Sequence, residues 1–293
     1  MSTIDLDVHA HLAPIDAAGL SALNGVSWNA VDESLVLDGH RVGMKDLFHP
    51  ERLIARMDAH GVQRALVSIP PPLYRQGLSE RDSWAWVSYV HEEMSAIARA
   101  SKDRLGALLY VPLEHPRLFA ASQSRYERGG FEGIALAAGG HAEIIYSQER
   151  YEGLWKWLDG QGAFVFVHPG TCADPRLAAF YLENLVGNPI ETGVAAAHLV
   201  MAGVPGRYPR IRFCLAHAGG IFTSLLGRLQ RGFDMRRPSV NLDVEQPLQA
   251  GRRFYADGIA HSPDTLEHAK TMLGDEHVLY GSDWPFPMGL DRA

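Results

Sequence analysis

The chain has two cysteines, Cys172 and Cys214, among 293 residues. That number excludes a disulfide framework, and their spacing excludes a zinc knuckle. Both read as reduced thiols, with Cys214 inside a buried strand. Lysine is nearly as scarce: Lys45, Lys102, Lys156 and Lys270 are the whole set, and there is no basic run. With 27 basic against 34 acidic residues the formal charge is −7, so neither a nucleic-acid nor an anionic-membrane partner has electrostatic support. The longest uncharged apolar stretch, Gly193 to Gly206, is too short to span a bilayer and carries His198 and Pro205. The opening Ile4-Asp5-Leu6-Asp7 leaves no room for the charged and apolar regions of a secretion signal, and a soluble cytoplasmic protein is expected. No internal repeat, low-complexity tract or Pro/Ser-rich linker breaks the chain.

With 46% hydrophobic and 21% charged residues, the chain can bury a sizeable core, which excludes disorder as the default. Apolar runs of strand length recur at Ile4–Leu12, Ala65–Ile69, Leu105–Val111, Gly133–Ala138, Phe164–His168, Ile211–His217, Phe254–Ile259 and Val278–Ser282. Between most of them the apolar spacing is helical: Pro50–His60, Ser83–Ala100, Arg117–Arg128, Gln148–Gly160, Asn188–Val204, Ile221–Arg236 and Pro263–Leu273. Near-continuous apolar strands alternating with amphipathic helices predict a parallel sheet covered by helices, and eight such units predict an α/β fold closed into a (β/α)8 TIM barrel. One domain over residues 1–293 follows. Two departures are expected. Residues 19–45, with the alternating runs Val-Ser-Trp-Asn-Ala-Val and Ser-Leu-Val-Leu-Asp-Gly-His-Arg-Val, read as a β-hairpin insertion after the first strand, turning at Asp38-Gly39. Almost no length follows Asp283 for the eighth helix: either the sequence is shortened there or the barrel closes without that helix.

The chain carries 14 histidines, and their position relative to the strands is what informs. Strand one ends Asp7-Val8-His9-Ala10-His11; side chains two apart on a strand share a face, so both imidazoles can converge on one ion. Alone, such a pair is weak evidence, because paired histidines also occur on solvated strands. Strand five stops at His168-Pro169-Gly170, strand six at His217-Ala218-Gly219-Gly220 and strand eight at Gly281-Ser282-Asp283-Trp284. A barrel gathers the C-terminal ends of its strands on one face, which would bring His9, His11, His168, His217 and Asp283 into one cup. The competing reading, core histidines satisfied by local hydrogen bonds, accounts for any one of them more easily than for the set. Imidazoles with a carboxylate suit Zn2+ first, one per chain, with Mn2+, Fe2+ or Co2+ as substitutes. An open position would hold a water with its pKa lowered towards ~7. The end of strand four, Ala137-Ala138, offers no lysine or glutamate to bridge two metals, which favours a mononuclear site.

These motifs together resemble the amidohydrolase superfamily, in its amidohydrolase 2 branch with α-amino-β-carboxymuconate-ε-semialdehyde decarboxylase. The resemblance is carried by Phe254-Tyr255-Ala256-Asp257 with Ala260-His261-Ser262-Pro263, and by Val278-Leu279-Tyr280-Gly281-Ser282-Asp283-Trp284-Pro285-Phe286-Pro287-Met288-Gly289. Tyr208-Pro209-Arg210, Cys214 through Gly220, Leu226-Gly227-Arg228 and Gly187 through Thr192 add to it, and it covers nearly the whole chain. The resemblance implies His9, His11, His168 and Asp283 as metal ligands and His217 as catalytic acid/base, with Asp283 also counted in the catalytic machinery. It further implies that Arg228 crosses a homodimer interface to grip a substrate carboxylate. A second carboxylate-binding arginine of the family falls on Leu53 in this chain; Arg52 and Arg56 are its neighbours, but one residue turns a helical side chain by about 100°. Trp284 and Phe286 would line an aromatic substrate pocket or pack the barrel rim.

The expected activity is therefore a metal-dependent decarboxylation of a small carboxylated aromatic or muconate-semialdehyde-like acid, in aromatic catabolism, with His217 moving a proton at the carbon that loses CO2. The alternative is a hydrolase or hydratase acting on a lactone, amide or enol-acid on the same scaffold. A catalytically silent metal-binding or sensor protein is the third reading; an intact ligand set with an additional histidine argues against it.

Overall fold

The structure is a computed structural model and describes residues 3–140, 144–172 and 174–290. The chain divides into two compact units, Met1–Ala135 with Tyr280–Ala293, and Leu136–Leu279.

The first unit begins with β1 (Ile4–His11), whose C-terminal five residues are buried. A short helix α1 (Ala17–Ser21) leads into the insertion, formed by β2 (Val26–Asn29), β3 (Ser34–Leu37) and β4 (His40–Val42) in an antiparallel sheet. The expected hairpin is the β3–β4 pair. Its two-residue turn places Asp38 and Gly39 at φ 51° and 85°, the left-handed pair that matches the twist of the flanking strands. The other alternating run of the insertion forms β2, in register with β3 from Val26↔Leu37 to Asn29↔Ser34. Then come α2 (Pro50–His60), β5 (Val62–Ser68), α3 (Glu80–Ala100), β6 (Leu105–Tyr110) and α4 (Phe119–Glu127). Helix α2 has Pro50 in its first turn and stops at Gly61, which adopts φ 72° and so closes the helix without the penalty a Cβ would carry there. Ser79 caps α3 by accepting the Asp82 N–H.

β7 (Gly133–Ala138) leads into the second unit, which contains α5 (Glu152–Gln161), β8 (Phe164–Pro169), α6 (Asn188–Met201), α7 (Val204–Arg207), β9 (Arg212–Leu215), α8 (Phe222–Asp234), α9 (Pro247–Gly251), β10 (Tyr255–Asp257), α10 (Pro263–Leu273) and β11 (Val278–Leu279). Strands β6, β7 and β8 are buried at every position, as expected of parallel strands covered on both faces.

The parallel strands form one eight-stranded sheet in chain order, β1-β5-β6-β7-β8-β9-β10-β11. The segment after β11 pairs with β1: Val8 donates to the Tyr280 carbonyl (2.9 Å), His11 to that of Trp284 (2.8 Å), and Ala10 bridges Trp284. The fold is thus the (β/α)8 barrel read from the strand–helix alternation. Among the described residues no helix follows β11, and no helix is long and apolar enough to cross a membrane.

Candidate active site

In the first unit the pleat of β1 puts His9 and His11 on one face, both fully buried. Their Nε2 atoms stand 3.0 Å apart, and Asp283 Oδ1 lies 3.2 Å from the first and 3.3 Å from the second. Nitrogen and oxygen donors around a cation with bonds of about 2.1 Å are spaced in this way. The donor set fits a divalent cation. His11 turns its other nitrogen to Ser68 Oγ at the end of β5 (3.2 Å), and such a contact fixes the ring and leaves Nε2 for the metal. Phe286 meets the His11 ring edge-on at a centroid distance of 5.3 Å.

Asp283 stands on a turn stapled to β1. Its backbone N–H and that of Ser282 donate to the His9 carbonyl (2.8 and 3.2 Å). The Asp7 carboxylate accepts from the backbone of both His9 (3.0 Å) and Ser282 (3.1 Å). Burial pushes the Asp7 carboxyl up to about 6, against the pull of these hydrogen bonds. The staple holds Asp283 at φ 56°, a conformation that costs a non-glycine residue about 1–3 kcal/mol and persists where its surroundings impose it.

In the second unit His168 is the penultimate residue of β8 and donates from Nδ1 to the Pro169 carbonyl (2.8 Å). The proton is therefore on Nδ1, and Nε2 presents a lone pair. His217 begins the turn after β9, half-buried, with its ring centroid 5.3 Å from that of His168. His217 and Ala218 adopt φ 58° and 53°. Both are held by Asp257 at the end of β10: its Oδ2 accepts the His217 N–H (2.9 Å) and its Oδ1 the N–H groups of Ala218 and Ile259 (3.0 Å each).

His9 and Asp283 stand together in the first unit and His168 and His217 in the second, a His/Asp set able to hold a metal ion. His11 belongs beside them through its contacts to His9 and Asp283. The remaining expected residues are more scattered. Arg228 stands on the exposed side of α8, and Trp284 is buried with its backbone paired to β1. Leu53 is fully buried, Arg52 pairs with Asp46 (2.5 Å), and Arg56 donates to the Leu290 carbonyl (2.6 Å). Sequence reasoning passed over Ser68, which contacts the His11 ring, and Asp7 and Asp257, which hold the backbone at His9, Ser282 and His217; the one available signal was that Ser68 and Asp257 also end barrel strands.

A barrel with histidines and an aspartate at its strand ends defines a class of metal-centred enzymes. More narrowly, the chain belongs to the amidohydrolase family, which matches residues 6–291. The chain is 23% identical over 300 residues to the 2-amino-3-carboxymuconate-6-semialdehyde decarboxylase of Dictyostelium discoideum, covering 98% of this chain and 83% of that protein. It is 34% identical over 134 residues to the 6-methylsalicylic acid decarboxylase of Penicillium expansum, covering 45% of this chain and 41% of the relative. Among solved structures, 5-carboxyvanillate decarboxylase from Novosphingobium aromaticivorans, complexed with manganese and 4-hydroxy-3-methoxy-5-nitrobenzoic acid, superposes with a TM-score of 0.79 at 17% identity, over 98% of this chain and 87% of that one. That likeness is one of fold.

Proposed function

We propose that this protein is a metal-dependent decarboxylase of small carboxylated aromatic or muconate-semialdehyde-like acids, the whole chain serving as one catalytic domain. The observation that carries the reading is the convergence of His9 Nε2, His11 Nε2 and Asp283 Oδ1 at 3.0–3.3 Å in a chain whose relatives are decarboxylases. His9, His11, His168 and Asp283 would hold one divalent cation, zinc or the manganese found in the vanillate relative, and when bound it supplies a Lewis acid for the substrate's oxygen atoms.

The protein's own groups do the rest. His217, as imidazolium, delivers a proton to the ring or chain carbon bearing the carboxylate, which breaks conjugation there. The C–C bond then gives its electrons back to the conjugated system, CO2 departs, and solvent returns the proton to His217. Asp257 fixes the backbone from which His217 projects, and Asp7 with Ser282 fixes Asp283. Arg228, exposed on α8, is assigned to the substrate carboxylate of a partner chain in a homodimer. Trp284 and Phe286 are assigned to the aromatic wall, Phe286 through its contact with His11.

The test is CO2 release by metal-reconstituted protein from muconate semialdehydes and hydroxy- and aminobenzoates, 6-methylsalicylate and 5-carboxyvanillate included. Release should vanish in Asp283→Asn, and in His217→Ala with the metal still bound. Full turnover by His217→Ala refutes the assigned role of His217. No release from any acid with one metal bound per chain sinks the decarboxylase reading and turns the search to lactones, amides and enol-acids.

A further inference from the structure

Tyr74 lies on a short turn after β5, five residues beyond Ile69, where the Pro-rich end of the strand begins. Its side chain is 2% exposed and its ring stacks on Tyr110 with centroids 4.7 Å apart and planes 5° from parallel. Yet among the described residues the buried hydroxyl has no hydrogen-bond partner. A buried hydroxyl without a partner is destabilising, and phenylalanine would fill the same space and stack equally well without that penalty. The stability of the free protein therefore gives no reason for the oxygen.

Its location supplies one. Loops after the C-terminal strand ends of a barrel carry the chemistry, and the strand that leads to Tyr74 ends in Ser68, the residue that holds His11. Burial and the nearby Asp283 charge both raise the phenol's pKa, so the group stays protonated and acts as a donor. The turn is rigid on either side. Trp86 donates its indole N–H to the Leu73 carbonyl (2.7 Å). Arg75 grips Asp38 of the insertion through two nitrogens (2.6 and 2.8 Å), donates to the Asn24 carbonyl (2.8 Å) and lies 5.0 Å over the Trp86 ring. With both neighbours pinned, the donor is placed before any ligand arrives.

We infer that Tyr74 is a substrate-contacting residue whose hydroxyl donates a hydrogen bond to an anionic oxygen of the bound acid. The inference rests on the reading of the site as one for carboxylated substrates. It also gives the insertion a purpose, since Asp38 braces the turn that presents the hydroxyl.

The variant that tests it is Tyr74→Phe in the metal-reconstituted full chain, with three measurements. Its melting temperature should equal or exceed that of the wild type. Its affinity for 4-hydroxy-3-methoxy-5-nitrobenzoic acid, by calorimetric titration, should fall about 10- to 100-fold, the loss of one hydrogen bond to a charged acceptor. For any acid the wild type decarboxylates, KM should rise by a similar factor. Unchanged affinity in the variant overturns the inference, as does a lowered melting temperature with affinity intact, which would mean that the protein itself partners the hydroxyl. Loss of affinity without CO2 release from the wild type supports Tyr74 while removing decarboxylation; release with equal KM in both proteins does the reverse. A wild type that binds none of the acids overturns the inference as well.

Discussion

Asp257→Asn isolates the support beneath His217. In the wild type Oδ1 takes the Ala218 and Ile259 N–H groups while Oδ2 takes that of His217. An asparagine has one carbonyl oxygen and one NH2 group. Keeping two of the three bonds requires the oxygen at the Ala218 and Ile259 side, which leaves the NH2 facing the His217 N–H, donor against donor. The flipped amide would lose two bonds and is worse. The substitution therefore unties His217 in particular. The lost bond is charge-assisted, about 1.5–3 kcal/mol, and the two that remain weaken without the charge. Against this, a released His217 can leave φ 58°, which returns about 1 kcal/mol of strain. The net loss is about 2 kcal/mol, or on the order of 3 °C in melting temperature for a chain of this size. The effect on turnover should be larger, because displacing a reacting group by about 1 Å costs about 100-fold. Differential scanning fluorimetry, metal analysis and CO2 release on one preparation check all of this. The expected result is a modest loss of stability, unchanged metal content and a fall in kcat of about 100-fold. A variant with the stability loss but wild-type kcat would refute the argument, because His217 would then not need its backbone held.

Ser68→Ala removes the oxygen 3.2 Å from His11 Nδ1 and should weaken metal binding about 10-fold; competition against a chelator measures it, and unchanged affinity would show that packing alone orients His11. Glu114 has both side-chain carboxyl oxygens buried with no hydrogen-bond partner among the described residues, and burial pushes its pKa up to about 7. The folded chain then keeps this proton up to pH ~7 while the unfolded chain releases it from about pH 4.5, so the group's contribution is fully present below pH 4.5 and lost as the pH rises through 7, by on the order of 3 kcal/mol. Glu114→Gln, which cannot ionise, should melt higher than the wild type at pH 8 and at the same temperature at pH 4.5; equal melting at both pH values would mean that water or a shift of the loop solvates the carboxylate.

The barrel was legible because its strands are buried on both faces and so appear in the sequence as apolar runs, such as Gly133–Ala138, whose bounds agree with those of β7. The helices Pro50–His60 and Pro263–Leu273 were equally plain, each opening on a proline and stopping before a glycine. The late strands are shorter than their apolar runs: β9 stops at Leu215 and β11 at Leu279. The residues just beyond them still hydrogen-bond to a neighbouring strand, Ala216 to Val167 of β8, and Tyr280 and Ser282 to Val8 and His9 of β1, so the run in the sequence continues past the point where the regular strand stops. Strand β2 left a different trace: its side chains are half-covered on one face and exposed on the other, so it shows in the sequence as the alternation Val26-Ser27-Trp28-Asn29 and not as an apolar run.

The site divides along a related line. His9, His11, His168, His217 and Asp283 are proposed as reacting groups because each carries a chemistry that can be named from its residue type and stands where an apolar strand ends. Asp7 and Tyr74 have no such mark, and Asp257, although it ends β10, is not told apart by it from the reacting groups. Asp257 acts on a residue 40 positions away and Asp7 on one 275 positions away, and each does so through backbone N–H groups, which every residue but proline possesses. Tyr74 is conspicuous only through a bond it does not make among the described residues, and an unsatisfied hydroxyl exists only once the chain has folded around it. Residue type and local pattern can therefore locate reacting groups, whereas the residues that aim them are recognised by accounting for each buried donor and acceptor in three dimensions. By that accounting, the substitutions that separate catalysis from metal binding are expected at Asp257 and Tyr74, and those that separate metal affinity from folding at Ser68.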